Sequence, residues 1–382
     1  MRCKLSDICS YRKGKIEVKR LNNITYISTE NMLPNKGGIT EASSLPSIVL
    51  TQEYRKGDVL VSNIRPYFKK IWQAKYDGGC SNDVLVFTPN PMTDKDFLYY
   101  VLANDEFFLY SMATSKGTKM PRGDKDSIMQ YEIPDIGLDR QRKIASVLKS
   151  LDGKIQLNIA INNNLEQQTQ AYFDELFVVN ADPNWPECTL ANIGSVVAGG
   201  TPSKSKLEYY ADQGIAWITP KDLSGDKSKF ISHGENDISE LGFSKSSATK
   251  MPAGTILFSS RAPIGYIAIA QNEVTTNQGF KSVIPNKNIG TAYVYFLLKN
   301  LLPTIEGMAS GSTFKEISGT AMKSVPTVMP DADIIQLFSD FCEPVFKEQE
   351  VLEAENKHLS ALRDSLLPKL MSGEIDVSEL DL

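Results

Sequence analysis

The sequence predicts an α+β chain: two β-rich modules separated by two long helices that pair as an antiparallel coiled coil. Three observations carry this. GDVLVSNIRPYFKKIWQA (57–74) and GTILFSSRAPIGYIAIA (254–270) repeat one unit of glycine, β-rich run, small polar pair, Arg, Pro and second apolar run. Further matches follow it at offsets of 192 to 197, among them FLYYVLANDEFFLYSMATSKGT (97–118) with YVYFLLKNLLPTIEGMASGST (293–313). A nearly constant offset over so long a stretch means two copies of a domain-plus-helix module, since solenoid repeats have far shorter periods. Each copy also changes texture, from short β-rich runs punctuated by Gly, Pro, Asn and Ser to a long run with helical periodicity.

In chain order, residues 1–136 read as the first β-rich module, and its late apolar stretch as a helix. Residues 137–180 read as the first long helix, with no proline and only Gly153 between Asp139 and Phe177. Alternating steps of four and three from Ile144 give Leu148, Leu151, Ile155, Asn158, Asn162, Leu165, Thr169, Tyr172 and Leu176, a heptad seam in which Asn158 and Asn162 fix register. Residues 181–330 repeat the first module, with Asn277 aligned to Asn82. Residues 331–372 form the second helix, its seam read as Phe338, Phe341, Val345, Glu348, Leu352, Glu355, Leu359, Leu362 and Leu366. Pro344 and Pro368 are expected to break or end it. An acidic tail, 373–382, closes the chain. One amphipathic helix cannot hide its apolar stripe alone, and two of similar length in one chain pair naturally.

Composition narrows the function. Among 382 residues, 41% are hydrophobic, enough for more than one core, and no apolar run approaches the eighteen or so residues of a membrane span. The opening MRCKLSDICS lacks the apolar centre of a secretion signal, which points to a soluble, cytoplasmic protein. Five cysteines without a CxxC pair and two isolated histidines argue for scattered thiols in a reducing compartment and no metal site. The net charge of −5 is uneven: residues 331–382 hold thirteen acids and four bases, a local −9, so residues 1–330 carry +4.

Catalytic constellations are not found. GGTPSKSK (199–206) has glycines and lysines at the wrong spacing for a phosphate loop. In PDIGLDRQRK (134–143) acids lie near a lysine, but the stretch reads as a strand exit with Asp139 in a helix's first turn. No cofactor is expected on this chain. What the sequence does offer is cations beside turns and aromatics. Arg55, Lys56, Arg65, Lys69, Lys70 and Lys75 crowd one strand–turn–strand with Tyr67, Phe68 and Trp72, and Lys116, Lys119, Arg122 and Lys125 occupy a glycine-bearing loop. In the second copy Lys204, Lys206, Lys221, Lys227, Lys229, Lys245, Lys250 and Arg261 spread through loops. Such cations neutralise phosphates without reading sequence, whereas Arg reads guanine and Asn or Gln reads adenine. Asn63, Asn82, Asn277 and Gln278 are therefore candidate readers. Arg65 and Arg261 either contact phosphate or hold a turn.

YISTENMLPNKGGI (26–39), GGTPSKSKLEYYADQGIAWITPKDL (199–223), LFSSRAPIGYIAIA (257–270), TTNQGFKSVIP (275–285) and RDSLLPKLMSGEI (363–375) resemble the DNA-specificity subunit of type I restriction–modification systems, over essentially the whole chain. The resemblance implies two target-recognition domains, each reading one half of a bipartite double-stranded DNA site. It implies a chain with no catalytic centre of its own, in complex with two modification (methyltransferase) subunits that bind S-adenosylmethionine and methylate adenine. ATP-dependent, Mg-requiring restriction/translocase subunits complete that picture. The first domain has SNIRPYFKK where the second has SSRAPIGYI, so the two should read different half-sites. A helix of about forty residues spans roughly 60 Å, which leaves an unread spacer between the halves. The alternative is a stand-alone sequence-specific DNA-binding protein without enzyme partners.

Overall fold

The computed structural model describes residues 2–225, 228–311 and 315–377. Lys227, counted above among the loop cations, and Glu379 and Asp381 of the acidic tail lie outside them. The chain divides into two compact units: residues up to Gln156 together with those from Lys357 onward, and Leu157–Asn356. Each long helix is thus shared between the units.

In the first unit, Arg2–Lys4 pairs antiparallel with Glu132–Pro134, which clamps the start of the chain to the segment entering the first long helix. One four-stranded sheet runs Cys9–Tyr11, Val84–Pro89, Val59–Ser62, Ile71–Gln73, and another runs Lys15–Glu17, Leu50–Tyr54, Gly78–Cys80, Tyr26–Ile27. Two helices follow because acceptor side chains satisfy their first amide groups. Asp94 accepts from the Asp96 and Phe97 amides at 2.9 Å ahead of Lys95–Ala103, and Asn104 accepts from Glu106 at 3.1 Å ahead of Asp105–Ala113. Their apolar faces (Phe97, Leu98, Val101, Phe107, Phe108) share one core with Ile144 and Leu148 of the first long helix and Leu367 and Leu370 of the second.

The second unit repeats this order. Glu187–Thr189 pairs with Pro326–Val328. A five-stranded sheet runs Gly194–Ala198, Lys281–Pro285, Ile256–Ser260, Ile264–Ala270, Phe230–Ile231. Thr291–Asn300 and Leu302–Met308 stand where the two capped helices stand in the first unit. The parallel pair Tyr26–Ile27 with Gly79–Cys80 recurs as Trp217–Ile218 with Thr275–Thr276. The α+β class and the duplication are thus visible in strand pairing as well as in sequence.

Backbone geometry also sets the register of the repeat, and it differs by one residue from a match on residue type. Arg65 and Ala262 both take left-handed backbones (φ 50° and 53°), and each precedes a proline. The Gly123 amide donates to the Asn63 carbonyl, as Ile317 does to Ser260. Arg65 therefore corresponds to Ala262, and Arg261 to Ile64. Likewise the Ser81 amide donates to Ile27 as Asn277 does to Ile218, so Asn277 matches Ser81 and Gln278 matches Asn82.

The long helices run Leu138–Asp174 and Ala332–Ser372. Within each unit they pair antiparallel: Asp152 meets Arg363 at 2.7 Å in the first, and Asn162 meets Gln349 while Phe173 meets Phe338 in the second. Asn158 is fully buried and donates to Glu355 Oε2 (2.7 Å) and Asn356 Oδ1 (3.0 Å), the register-fixing contact expected of it. The second helix departs from expectation twice. Pro344 and Pro368 are exposed and the helix runs through both, because the seam on the opposite face holds it together. The seam itself is Ile335, Phe338, Cys342, Val345, Gln349, Leu352, Asn356, Leu359, Arg363, Leu366 and Leu370, whereas Phe341 and Leu362 are 38% and 37% exposed and Glu348 is exposed.

Lys229 is a second correction. It is no loop cation open to solvent: it is 7% exposed, its Nζ 2.7 Å from Glu166, 2.9 Å from Gln349 and 3.6 Å from the Phe346 ring centre. Lys299 reaches the other Glu166 oxygen at 2.5 Å, and the Lys229 and Phe230 amides donate to Glu353. In the first unit Asp152 ties Tyr100 and Arg363 together, each at 2.7 Å. Both units thus carry a charged knot where the β-rich part meets the helix pair. Burial raises the thiols of Cys9, Cys80 and Cys342 to about 12, so they are protonated packing groups at neutral pH.

Candidate nucleic-acid interface

In the first unit the hairpin Val59–Ser62 to Ile71–Gln73 carries the turn Arg65–Lys70 at its tip. The turn is held from outside. The Arg65 amide donates to the Pro121 carbonyl at 2.8 Å, the Asn35 amide to Phe68 at 2.8 Å and the Lys36 amide to Lys69 at 2.9 Å. Lys70 Nζ donates to the Thr29 carbonyl at 2.6 Å, and burial lowers its pKa. Lys69 and Lys36 share the Asp105 carboxylate at 2.7 and 2.9 Å. Burial pushes Asp105 up, but the hydrogen bonds from these two lysines outweigh it and hold the carboxyl below its usual range. Tyr67 and Phe68 remain 48% and 38% exposed, their rings 4.6 Å apart.

A second loop closes beside the turn. Arg122 bridges backbone to both Ile64 and Lys116, so residues 117–121 form a short arm bearing exposed Lys119. Lys116 pairs with Asp124 at 2.5 Å and Arg122 with Asp83 at 3.1 Å. Asn63 lies beneath, 8% exposed, its amide on the Asp83 carbonyl and its Oδ1 buried without a partner. That burial makes it part of the frame. Trp72, 7% exposed, belongs to the core.

In the second unit the Arg261, Asn277 and Gln278 segments are joined through Gly279, Lys281 and Glu316. The Ser260 amide donates to the Gly279 carbonyl at 2.7 Å. Lys281 joins Glu316 (3.7 Å) to the Gln278 carbonyl (3.4 Å), and Glu316 pairs with Arg261 at 3.3 Å. Asn277 Oδ1 accepts from the Gly279 amide at 2.8 Å, which turns its side chain onto its own backbone. Gln278 is exposed and accepts from the Thr201 hydroxyl. Lys221 pairs with Glu235, and Lys206 with Glu208 at 3.6 Å; Lys204 is exposed on the same loop as Lys206. The glycines of GGTPSKSK have a packing reason. A Cβ on Gly199 would lie 2.0 Å from the Asn277 carbonyl oxygen, and one on Gly200 would lie 2.3 Å from the Ala248 amide nitrogen.

Sequence reasoning missed the carboxylates that organise these cations, Asp105 and Glu316, as well as Lys36, Lys281 and Thr201. Only spatial pairing reveals them, although Lys36 lies in the quoted string 26–39. Because Asp105 offsets part of the charge that Lys36 and Lys69 offer a phosphate, Asp105→Asn should strengthen sequence-independent DNA binding about threefold or more at low salt and steepen the salt dependence by one to two counterions. Titration of random duplex DNA across salt concentrations checks this; an unchanged slope would remove Lys36 and Lys69 from the contact surface.

Two copies of one α+β architecture, each presenting loop cations paired with carboxylates, and in the first copy two exposed aromatics as well, define a duplicated binding protein. The chain belongs to the type I restriction modification DNA specificity domain family, whose model matches residues 1–167 and 183–360. It is 38% identical over 190 residues to the type I restriction enzyme MjaIX specificity subunit of Methanocaldococcus jannaschii, covering 47% of this chain and 44% of that one. It is 25% identical to the HindI specificity subunit of Haemophilus influenzae over 97% of this chain and 98% of the relative. The solved type I restriction-modification S subunit from M. genitalium has the same fold, with TM-score 0.59, 18% identity and coverage of 99% and 96%. These relatives are named as enzyme subunits, and the stand-alone alternative finds no support among them. No helix among the described residues is long and apolar enough to cross a membrane.

Proposed function

We propose that this chain is the non-catalytic reader of a type I restriction–modification complex, each unit reading one half of a bipartite duplex site. The observation that carries this is a shared framework whose loop tips differ. The hairpin, the left-handed residue before proline and the closing arm occur twice, but the tip is PYFKK in one copy and PIGY in the other. A single small reader discriminates too little against a genome, and joining two raises the effective concentration of the second once the first is bound. Arg65, Tyr67, Lys69, Lys70, Lys116, Lys119 and Arg122 serve the first half. Lys204, Lys206, Lys221, Arg261, Asn277 and Gln278 serve the second, with Asn63 and Asn277 acting as supports. Phosphate contacts position the loops and base-edge contacts specify.

Chemistry belongs to partners in this reading. Two modification subunits dock along the helices and carry S-adenosylmethionine, restriction subunits carry ATP and Mg, and the complex works in the cytoplasm. Exchanging residues 186–327 for the corresponding segment of a relative with another target should change one half of the methylated sequence and leave the other intact, as read by methylation mapping. A change in both halves would refute the two-reader layout.

A further inference from the structure

We infer that the Tyr67–Phe68 pair is the base-contacting wedge of the first unit, stacking on or entering a base step of duplex DNA while Lys36 and Lys69 engage the flanking phosphates; this rests on the DNA-reading function proposed above. The two rings are exposed and adjacent, 4.6 Å apart, on a turn whose neighbours Ile71 and Trp72 are buried. Apolar rings left in water at a rigid tip with cations alongside fit a ligand with stackable faces between anionic strands.

The turn is preorganised. Among the described residues, five non-glycine residues have left-handed backbones, and four of them, Asn35, Lys36, Arg65 and Lys69, meet here through the Asn35–Phe68 and Lys36–Lys69 hydrogen bonds. Side-chain-bearing residues adopt that conformation uphill, and such strain persists only where the surroundings impose it. The turn therefore holds the rings in place before any ligand arrives. The second unit supplies an internal control. Its equivalent hairpin keeps the left-handed residue and the proline, but the strand resumes at Ile264, and no aromatic pair or lysine stands at the tip. The framework does not require the rings, so their reason lies in what this copy alone contacts.

The test uses the full chain in the assembly that co-purifies with it, with the target first selected from random duplex DNA. Tyr67→Ala/Phe68→Ala should weaken binding to the selected duplex about a hundredfold, at about tenfold per ring. It should flatten base preference in one half only, and it should abolish the fluorescence change of 2-aminopurine placed in that half. The thermal midpoint should fall by no more than about 5 °C, because the rings are only half-buried. Tyr67→Phe/Phe68→Tyr should keep affinity, preference and fluorescence. An alanine pair that leaves affinity and both half preferences intact overturns the wedge, as does an equal loss on selected and scrambled duplexes. A wild-type assembly that selects no sequence overturns the underlying reading, and the wedge with it.

Discussion

Glu166→Ala should destabilise the second unit by about 3–5 kcal/mol, because it strands the buried ammonium of Lys229. Glu166 faces Lys229 at 2.7 Å and Lys299 at 2.5 Å, with side chains 25%, 6% and 31% exposed. Burial alone would raise the Glu166 carboxyl, but the two lysines outweigh it and hold it below the usual carboxylate range. Burial lowers Lys229 from the ordinary 10.5 to about 8 in spite of Glu166, so both groups are charged at neutral pH. Removing the carboxylate leaves the cation against Phe346, Tyr295, Phe296 and the Gln349 side chain. Urea unfolding followed by the fluorescence of Trp185 and Trp217, in a Trp72→Phe background that silences the first unit's tryptophan, reports this unit.

The double variant Glu166→Ala/Lys229→Met should recover most of the loss, since a thioether suits the aromatic box and no charge is then buried. Full additivity of the two single substitutions would show that the pair is not coupled. The pH dependence has a definite sign. Lys229 is depressed in the folded state, so from about pH 8 to 10.5 the unfolded chain binds more protons and this residue's contribution to stability rises with pH. Wild type minus Lys229→Met, followed across that window, should show the rise; a flat difference would mean that Lys229 is solvated.

The duplication, the order of modules and the two helices were legible because each rests on a pattern that many residues share. Positions settled by a single partner were not. Lys229 reads as any loop lysine until Glu166, 63 residues earlier, is known to face it. The repeat slipped by one residue where arginine was matched to arginine, since what the copies conserve at that place is a backbone angle that Ala262 adopts as Arg65 does. At the candidate interface, residue type marked the cationic loops but not which cations are already paired. Asp105 decides that for Lys36 and Lys69, and Glu316 for Arg261 and Lys281.

The phase of the second seam shows the same limit and yields the sharpest contrast among single substitutions. Steps of three and four from Phe338 can lead to Phe341 or to Cys342, and the apolar Phe341 and Leu362 favour the wrong branch. The observed branch carries Gln349, Asn356 and Arg363, polar groups a sequence pattern rejects. Gln349 is buried because it binds Lys229 and because its side-chain amide and that of Asn162 each donate to the other's backbone carbonyl, and Arg363 is held half-buried by Asp152. Phe338 is fully buried and meets Phe173, Phe177 and Phe296 at ring separations of 5.5 to 5.8 Å. Phe338→Ala should therefore cost about 3–5 kcal/mol, the lost transfer energy plus an aromatic-lined cavity too well supported to collapse. Phe341→Ala, three residues on and 38% exposed, keeps one close ring neighbour, Tyr172 at 4.8 Å, and should cost about 1 kcal/mol. Equal losses in urea unfolding, or a larger one at Phe341, would restore the other seam and with it a different pairing of the helices.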